Sequence, residues 1–93
     1  MKLGTFSKQP GERLSKSILY VEALDVGDEI ASVISCNVEP SGLDVIPTLV
    51  SGQRVRLWVE GGVDATAYKI TVRVHTAGGE ILEDELTCRV REV

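Results

Sequence analysis

The sequence predicts an all-β domain, an immunoglobulin-like antiparallel β-sandwich of about seven strands. Three observations carry that expectation. Apolar and polar residues alternate with a period of two along the best-ordered stretches. Turn-forming clusters recur between those stretches at the spacing of a sandwich. The chain has 93 residues, close to the roughly 100 that seven strands require. No window carries an apolar stripe of helical period, so essentially no helix is expected.

Residues 1–11 are polar around a single aromatic, Phe6, and read as a loose arm or a short first strand over Thr5–Lys8. A disordered arm that orders on assembly and a paired edge strand are both open at this stage. Residues 12–93 form one sandwich domain. Ser17 to Val21 puts Ile18 and Tyr20 on one face. Ile30 to Val38 is rich in β-branched residues, with Ile30, Ile34, Cys36 and Val38 facing the core. Leu43 to Val50 contains Pro47, which marks an edge or irregular strand because proline cannot donate to a ladder. Arg54 to Glu60 places Val55, Leu57 and Val59 inward. The clearest alternation runs from Tyr68 to Thr76, with Tyr68, Ile70, Val72 and Val74 on one side and Lys69, Thr71, Arg73 and His75 on the other. The last strand sets Leu82, Leu86, Cys88 and Val90 against Glu83, Glu85, Thr87, Arg89 and Arg91. Ala77-Gly78-Gly79-Glu80 between the final two strands reads as a tight hairpin.

Asp84 breaks the last alternation by falling on the core side. An inward charge that protects an edge strand explains it, and so does a bulge near Glu83-Asp84-Glu85. Tyr68 opens its strand directly after a glycine-containing loop, Gly61-Gly62-Val63-Asp64-Ala65-Thr66-Ala67. That arrangement predicts a structural corner, with the ring in the core and the hydroxyl bonded to a nearby loop carbonyl. Trp58 faces away from Val55, Leu57 and Val59 and shares its side with Arg54, Arg56 and Glu60. A tryptophan among arginines is the composition of a protein-binding hot spot. The alternative is a Trp58 covered by a loop or by the N-terminal arm.

Catalytic chemistry is not encoded in any recognisable form. His75, the single histidine, sits on a polar strand face and lacks a nucleophile partner. Cys36, Cys88 and His75 are isolated, so no transition-metal site is expected. The two cysteines read as reduced core residues, with a disulfide as the alternative. Asp25, Asp28, Asp44 and Asp64 fall in expected loops without calcium-binding spacing, and solvated turn residues are the better reading. No cofactor is expected. A net charge of −4 argues against nucleic acid as a partner, since phosphate recognition needs clustered Lys and Arg. No apolar run is long enough to span a membrane, and no signal-peptide pattern opens the chain.

Several tracts together resemble a family of small bacteriophage and prophage proteins. They are Pro10-Gly11-Glu12-Arg13-Leu14-Ser15-Lys16-Ser17-Ile18-Leu19-Tyr20, then Ala23-Leu24-Asp25-Val26-Gly27-Asp28-Glu29-Ile30-Ala31-Ser32, and Leu57-Trp58-Val59-Glu60-Gly61-Gly62 followed by Tyr68 to Val74. The resemblance covers about Pro10 to Arg91, although the second aromatic that many relatives carry near Ala23-Leu24 is missing. It implies a fibre–tail adaptor or immunoglobulin-like virion protein. Such a protein is a non-enzymatic structural component that assembles in the host bacterial cytoplasm and stays in the virion. Its partners would be other virion proteins of tail, fibre or head, and it could form a homo-oligomer in the assembly. The competing reading is a free-standing ligand- or carbohydrate-binding sandwich, which would need exposed aromatic platforms.

Overall fold

The computed structural model describes residues 1–93 and contains seven strands and no helix. In chain order the strands are β1 (Lys2–Lys8), β2 (Arg13–Leu19), β3 (Ile30–Glu39), β4 (Leu43–Ser51), β5 (Arg54–Gly61), β6 (Thr66–Thr76) and β7 (Ile81–Val90). They build two sheets, one ordered β1-β7-β6-β3 and the other β2-β5-β4. Leaving β1 aside, this is the strand order of an immunoglobulin-type sandwich.

The core forms where the central strands of the two sheets press together. Val55, Leu57 and Val59 of β5, and Tyr68, Ile70, Val72 and Val74 of β6, are all completely or almost completely buried. Their period of two puts every one of these side chains on the inner face. Burying each aliphatic one contributes about 1.5–3 kcal/mol relative to leaving it in water. Ile18 and Tyr20 close the core from β2 and the residue after it. β2 itself begins at Arg13, four residues earlier than the alternation indicated. The reason is Lys16, a polar residue on the inward side, whose ammonium lies 5.3 Å from the centre of the Phe6 ring.

Not every pairing is antiparallel. β1 runs parallel to β7, from Lys2 opposite Glu85 to Lys8 opposite Val90. The N-terminal segment is thus a full strand of the four-stranded sheet. The chain then crosses to the other sheet through a turn in which Gln9 N–H donates to Glu12 Oε1 at 2.6 Å and Glu12 N–H to the Gln9 carbonyl at 3.1 Å.

β3 departs from simple alternation. Its pairing with β6 slips between Ile30 and Ser32 and again between Val33 and Ser35. Each slip inserts a residue and reverses the side chains that follow. As a result Val33 packs against the core, whereas Ile34, expected inside, is 46% exposed. Ile30, Cys36 and Val38 keep their inward positions.

The pairing of β6 with β7 is continuous, with Val72 opposite Asp84, so no bulge turns Asp84 inward. Nor is β7 an edge, because β1 covers it. Asp84 is 8% exposed and lies 3.9 Å from the Met1 ammonium. It also sits beside Tyr20, whose hydroxyl is buried and has no hydrogen-bond partner. Burial, reinforced by the Asp84 charge, pushes the Tyr20 hydroxyl well above its ordinary pKa.

Cys36 and Cys88 are both free thiols. They stand on β3 and β7, with β6 between them in the same sheet. Two strand spacings, roughly 10 Å, exceed the Cα separation a disulfide can bridge. Burial raises the pKa of both thiols.

Candidate protein-interaction face

The inner residues of β5 leave Arg54, Arg56, Trp58 and Glu60 on the outer face of the three-stranded sheet. β5 is the central strand, so this row is flanked on both sides. Ser15 of β2 and Ile46 of β4 stand directly opposite Trp58. Ile46 is 59% exposed, and Trp58 is half-buried by its neighbours. The Arg13 guanidinium lies 4.5 Å from the indole centre and that of Arg56 5.9 Å. Arg13 is also 3.6 Å from Glu60, and two partners hold its long side chain over the ring. Stacking a guanidinium on an indole contributes about 0.5–1 kcal/mol at an exposed site.

The structure therefore brings Trp58 and Arg56 together and adds Arg13 and Ile46, which the sequence reading did not single out. Arg54 shares the face but stands at its far end, opposite the exposed Leu19. The signal for Arg13 and Ile46 was their outward parity on strands beside Trp58. It becomes readable only when the pairing of β2 and β4 with β5 is known. β1 belongs to the opposite sheet, so the N-terminal segment does not cover Trp58.

The two outer faces differ in character. On the four-stranded sheet, Lys69 pairs with Glu85 at 3.4 Å and Arg73 with Glu83 at 3.7 Å. Charges there satisfy one another in solvent, and His75 lies exposed among them. On the three-stranded sheet the centre is aromatic and aliphatic. Arg54 and Arg56 have no carboxylate within ion-pair distance.

The remaining aromatics serve the interior. Tyr20 and Tyr68 are core residues, and Phe6 packs against the core from β1. The Tyr68 hydroxyl accepts the Val63 N–H at 2.8 Å, so it takes a proton donor and does not give one to a loop carbonyl. Two glycines make room at this corner. A Cβ on Gly42 would approach the Tyr68 hydroxyl at 3.2 Å. One on Gly62, where φ is +100°, would meet Val90 at 2.6 Å. Nearby, Lys8 is only 3% exposed, and its ammonium donates to the carbonyls of Gln9, Pro10 and Gly61. It ties the end of β1 to the end of β5.

The four aspartates expected in loops do not share one place. Asp28 accepts the N–H groups of Glu29 and Gly78, each at 2.8 Å, and so joins the β2–β3 loop to the β6–β7 hairpin. Those hydrogen bonds, the Glu29 amide first, hold its pKa below the usual range. Glu80 is raised, mainly because it shares a hydrogen bond with Asp25. Asp64 lies at the opposite end, where it accepts the Glu92 N–H at 2.8 Å. Asp44, expected in a loop, is on β4.

Comparison with known proteins adds one finding. A family model described as "Podophage GP4 fiber-tail adaptor protein gp77" matches residues 8–89. No curated protein matches the chain.

Proposed function

The chain belongs to the podophage fibre–tail adaptor family, and from that premise we propose that it is a non-catalytic connector whose contact surface is the outer face of β2, β5 and β4. It assembles in the host cytoplasm and remains in the virion, joined to tail or fibre proteins. The observation that carries the choice of face is Trp58. It is a half-buried indole at the centre of a sheet, beside an exposed Ile46 and under two guanidinium groups. Hot spots are enriched in Trp and Arg and sit near the middle of a contact. The opposite face, laced with mutual ion pairs, offers a partner little to gain, because exposed pairs contribute about 0–1 kcal/mol and already have their counter-charges.

Size is compatible with this role. The surface is 5576 Å², and a standard contact takes about 800 Å² from each partner. One sheet face of an elongated domain can supply that much.

The test is Trp58→Ala, supplied in trans to particles assembling without the chain. Truncating a hot-spot tryptophan costs about 2 kcal/mol or more, so occupancy of the purified particles should reflect at least a roughly 30-fold weaker affinity. The isolated variant should still fold cooperatively, with a melting temperature lowered by several degrees for the lost guanidinium contacts. Normal occupancy would show that the contact lies elsewhere.

A further inference from the structure

We propose that the free edge of β4 receives an extended segment of the virion partner, aliphatic along its length and carrying a carboxylate on its outer side, and that Pro47 keeps a second copy of the chain off that edge. This rests on the adaptor reading above and specifies how the partner engages the same face.

Backbone direction follows from a single bond. Tyr20 N–H donates to the Gln53 carbonyl at 2.8 Å, continuing the register that sets Ile18 opposite Val55. In an antiparallel ladder, bonded and non-bonded pairs alternate. Gln53, Val55, Leu57 and Val59 therefore turn their backbone groups toward β2. Arg54, Arg56, Trp58 and Glu60 turn theirs toward β4. Pro47 stands opposite Leu57, in a pair that exchanges no bonds, so its nitrogen faces away from β5. The N–H and C=O groups of Val45 and Leu49 face the same way. β4 is the last strand of its sheet, and these groups have no ladder partner.

Side chains along the strand match this open backbone. β4 has nine residues, of which Asp44 alone is charged. Ile46, Leu49 and Val50 are exposed on it, and Ile34 is exposed on the neighbouring β3. From Leu43 to Leu49, before the irregularity between Leu49 and Ser51, an aliphatic edge of this kind is a template for another strand unless something blocks it. Pro47 sits midway along β4, with four residues on either side. Two copies pairing antiparallel through the middle of this edge would lose two donors, one from each proline. A foreign strand loses only one.

The charge of the occupant follows from the outer face. A strand added beside β4 would lie next to Asp44, Ile46 and Thr48, one strand away from Arg56. Arg54 and Arg56 have no internal counter-charge. An apolar side chain beside Ile46 and a carboxylate within reach of Arg56 complete the patch.

Two measurements test this. Light scattering on Pro47→Thr should show a dimer or larger species at concentrations where the native chain is a monomer. A variant that stays monomeric overturns the role of Pro47. Val45→Pro, which removes a donor facing away from β5, should lower particle occupancy at least tenfold in the same complementation assay as Trp58→Ala. Native occupancy of Val45→Pro with loss for Trp58→Ala overturns strand addition and leaves the adaptor face standing. Native occupancy of both overturns the face itself. If Val45→Pro does not fold, Leu49→Lys places a charge on the exposed end of the same edge and is read by the same three outcomes.

Discussion

Tyr68 shows how much of a residue's role depends on its surroundings. Its ring was assignable to the core from alternation. The direction of its hydrogen bond was not, because a hydroxyl both donates and accepts and the loop backbone decides which is needed. Here the loop offers the Val63 N–H. Tyr68→Phe removes this bond from an N–H on the exposed Val63, at a cost of about 0.5–1.5 kcal/mol. For a domain of this size each kcal/mol lowers the melting temperature by about 4–8 °C. Thermal unfolding of the variant checks this, and an unchanged melting temperature would mean that water replaces the hydroxyl at no cost. Lys8 makes the same point from the other side. A lysine is seldom buried without a partner, yet the carbonyls of Gln9 and Pro10 in the turn after β1, and of Gly61 at the end of β5, draw its ammonium inward.

At the scale of an element, β3 separates composition from register. Its β-branched content identified it as a strand, and its two bulges then decided which residues faced inward. Bulges leave no compositional mark, since any residue can occupy them. The consequence is measurable as a contrast between neighbours. Val33→Asp introduces a charge against the core and should destabilise by at least about 2 kcal/mol. Ile34→Asp changes an exposed side chain and should cost less than about 1 kcal/mol. Urea denaturation of the two variants distinguishes them. Equal losses, or the reverse order, would show that the register of β3 is not the one described. β5 and β6 needed no such correction, because the extra residues fall on their partners β4 and β3 and leave their own alternation unbroken.

Across the whole molecule, charge is distributed unevenly along a shape measuring 44 × 19 × 18 Å. Asp25, Asp28, Glu29 and Glu80 gather at one end, where the β2–β3 loop meets the β6–β7 hairpin. Within that group Asp28 and Glu80 titrate in opposite directions. Asp28 is depressed, so the stability it contributes is present above the unfolded carboxylate value of about 3.9 and is lost as pH falls through its lower folded value. Glu80 is raised. The folded chain therefore holds its proton longer than the unfolded chain does, and a penalty develops as pH climbs from about 4.3 through the folded pKa. Glu80→Gln should melt higher than the native protein at pH 7, with the difference vanishing below about pH 4. A difference independent of pH would assign the effect to packing instead of charge.

Alternation, turn residues and length were enough to determine a β-sandwich, six of its seven strands, most of its core and the outward direction of Trp58, while β1 stayed open between arm and strand. Those properties are local, since the pleat sends successive side chains to opposite faces wherever a strand forms. Tertiary structure alone decided the parallel pairing of β1 with β7, the bulges of β3, the separation of the two cysteines by β6, and the assembly of Arg13, Ile46 and Arg56 around the indole. Each of these depends on which strands become neighbours and in what register. That is set by contacts between segments far apart in the chain, and no single stretch of residues carries it.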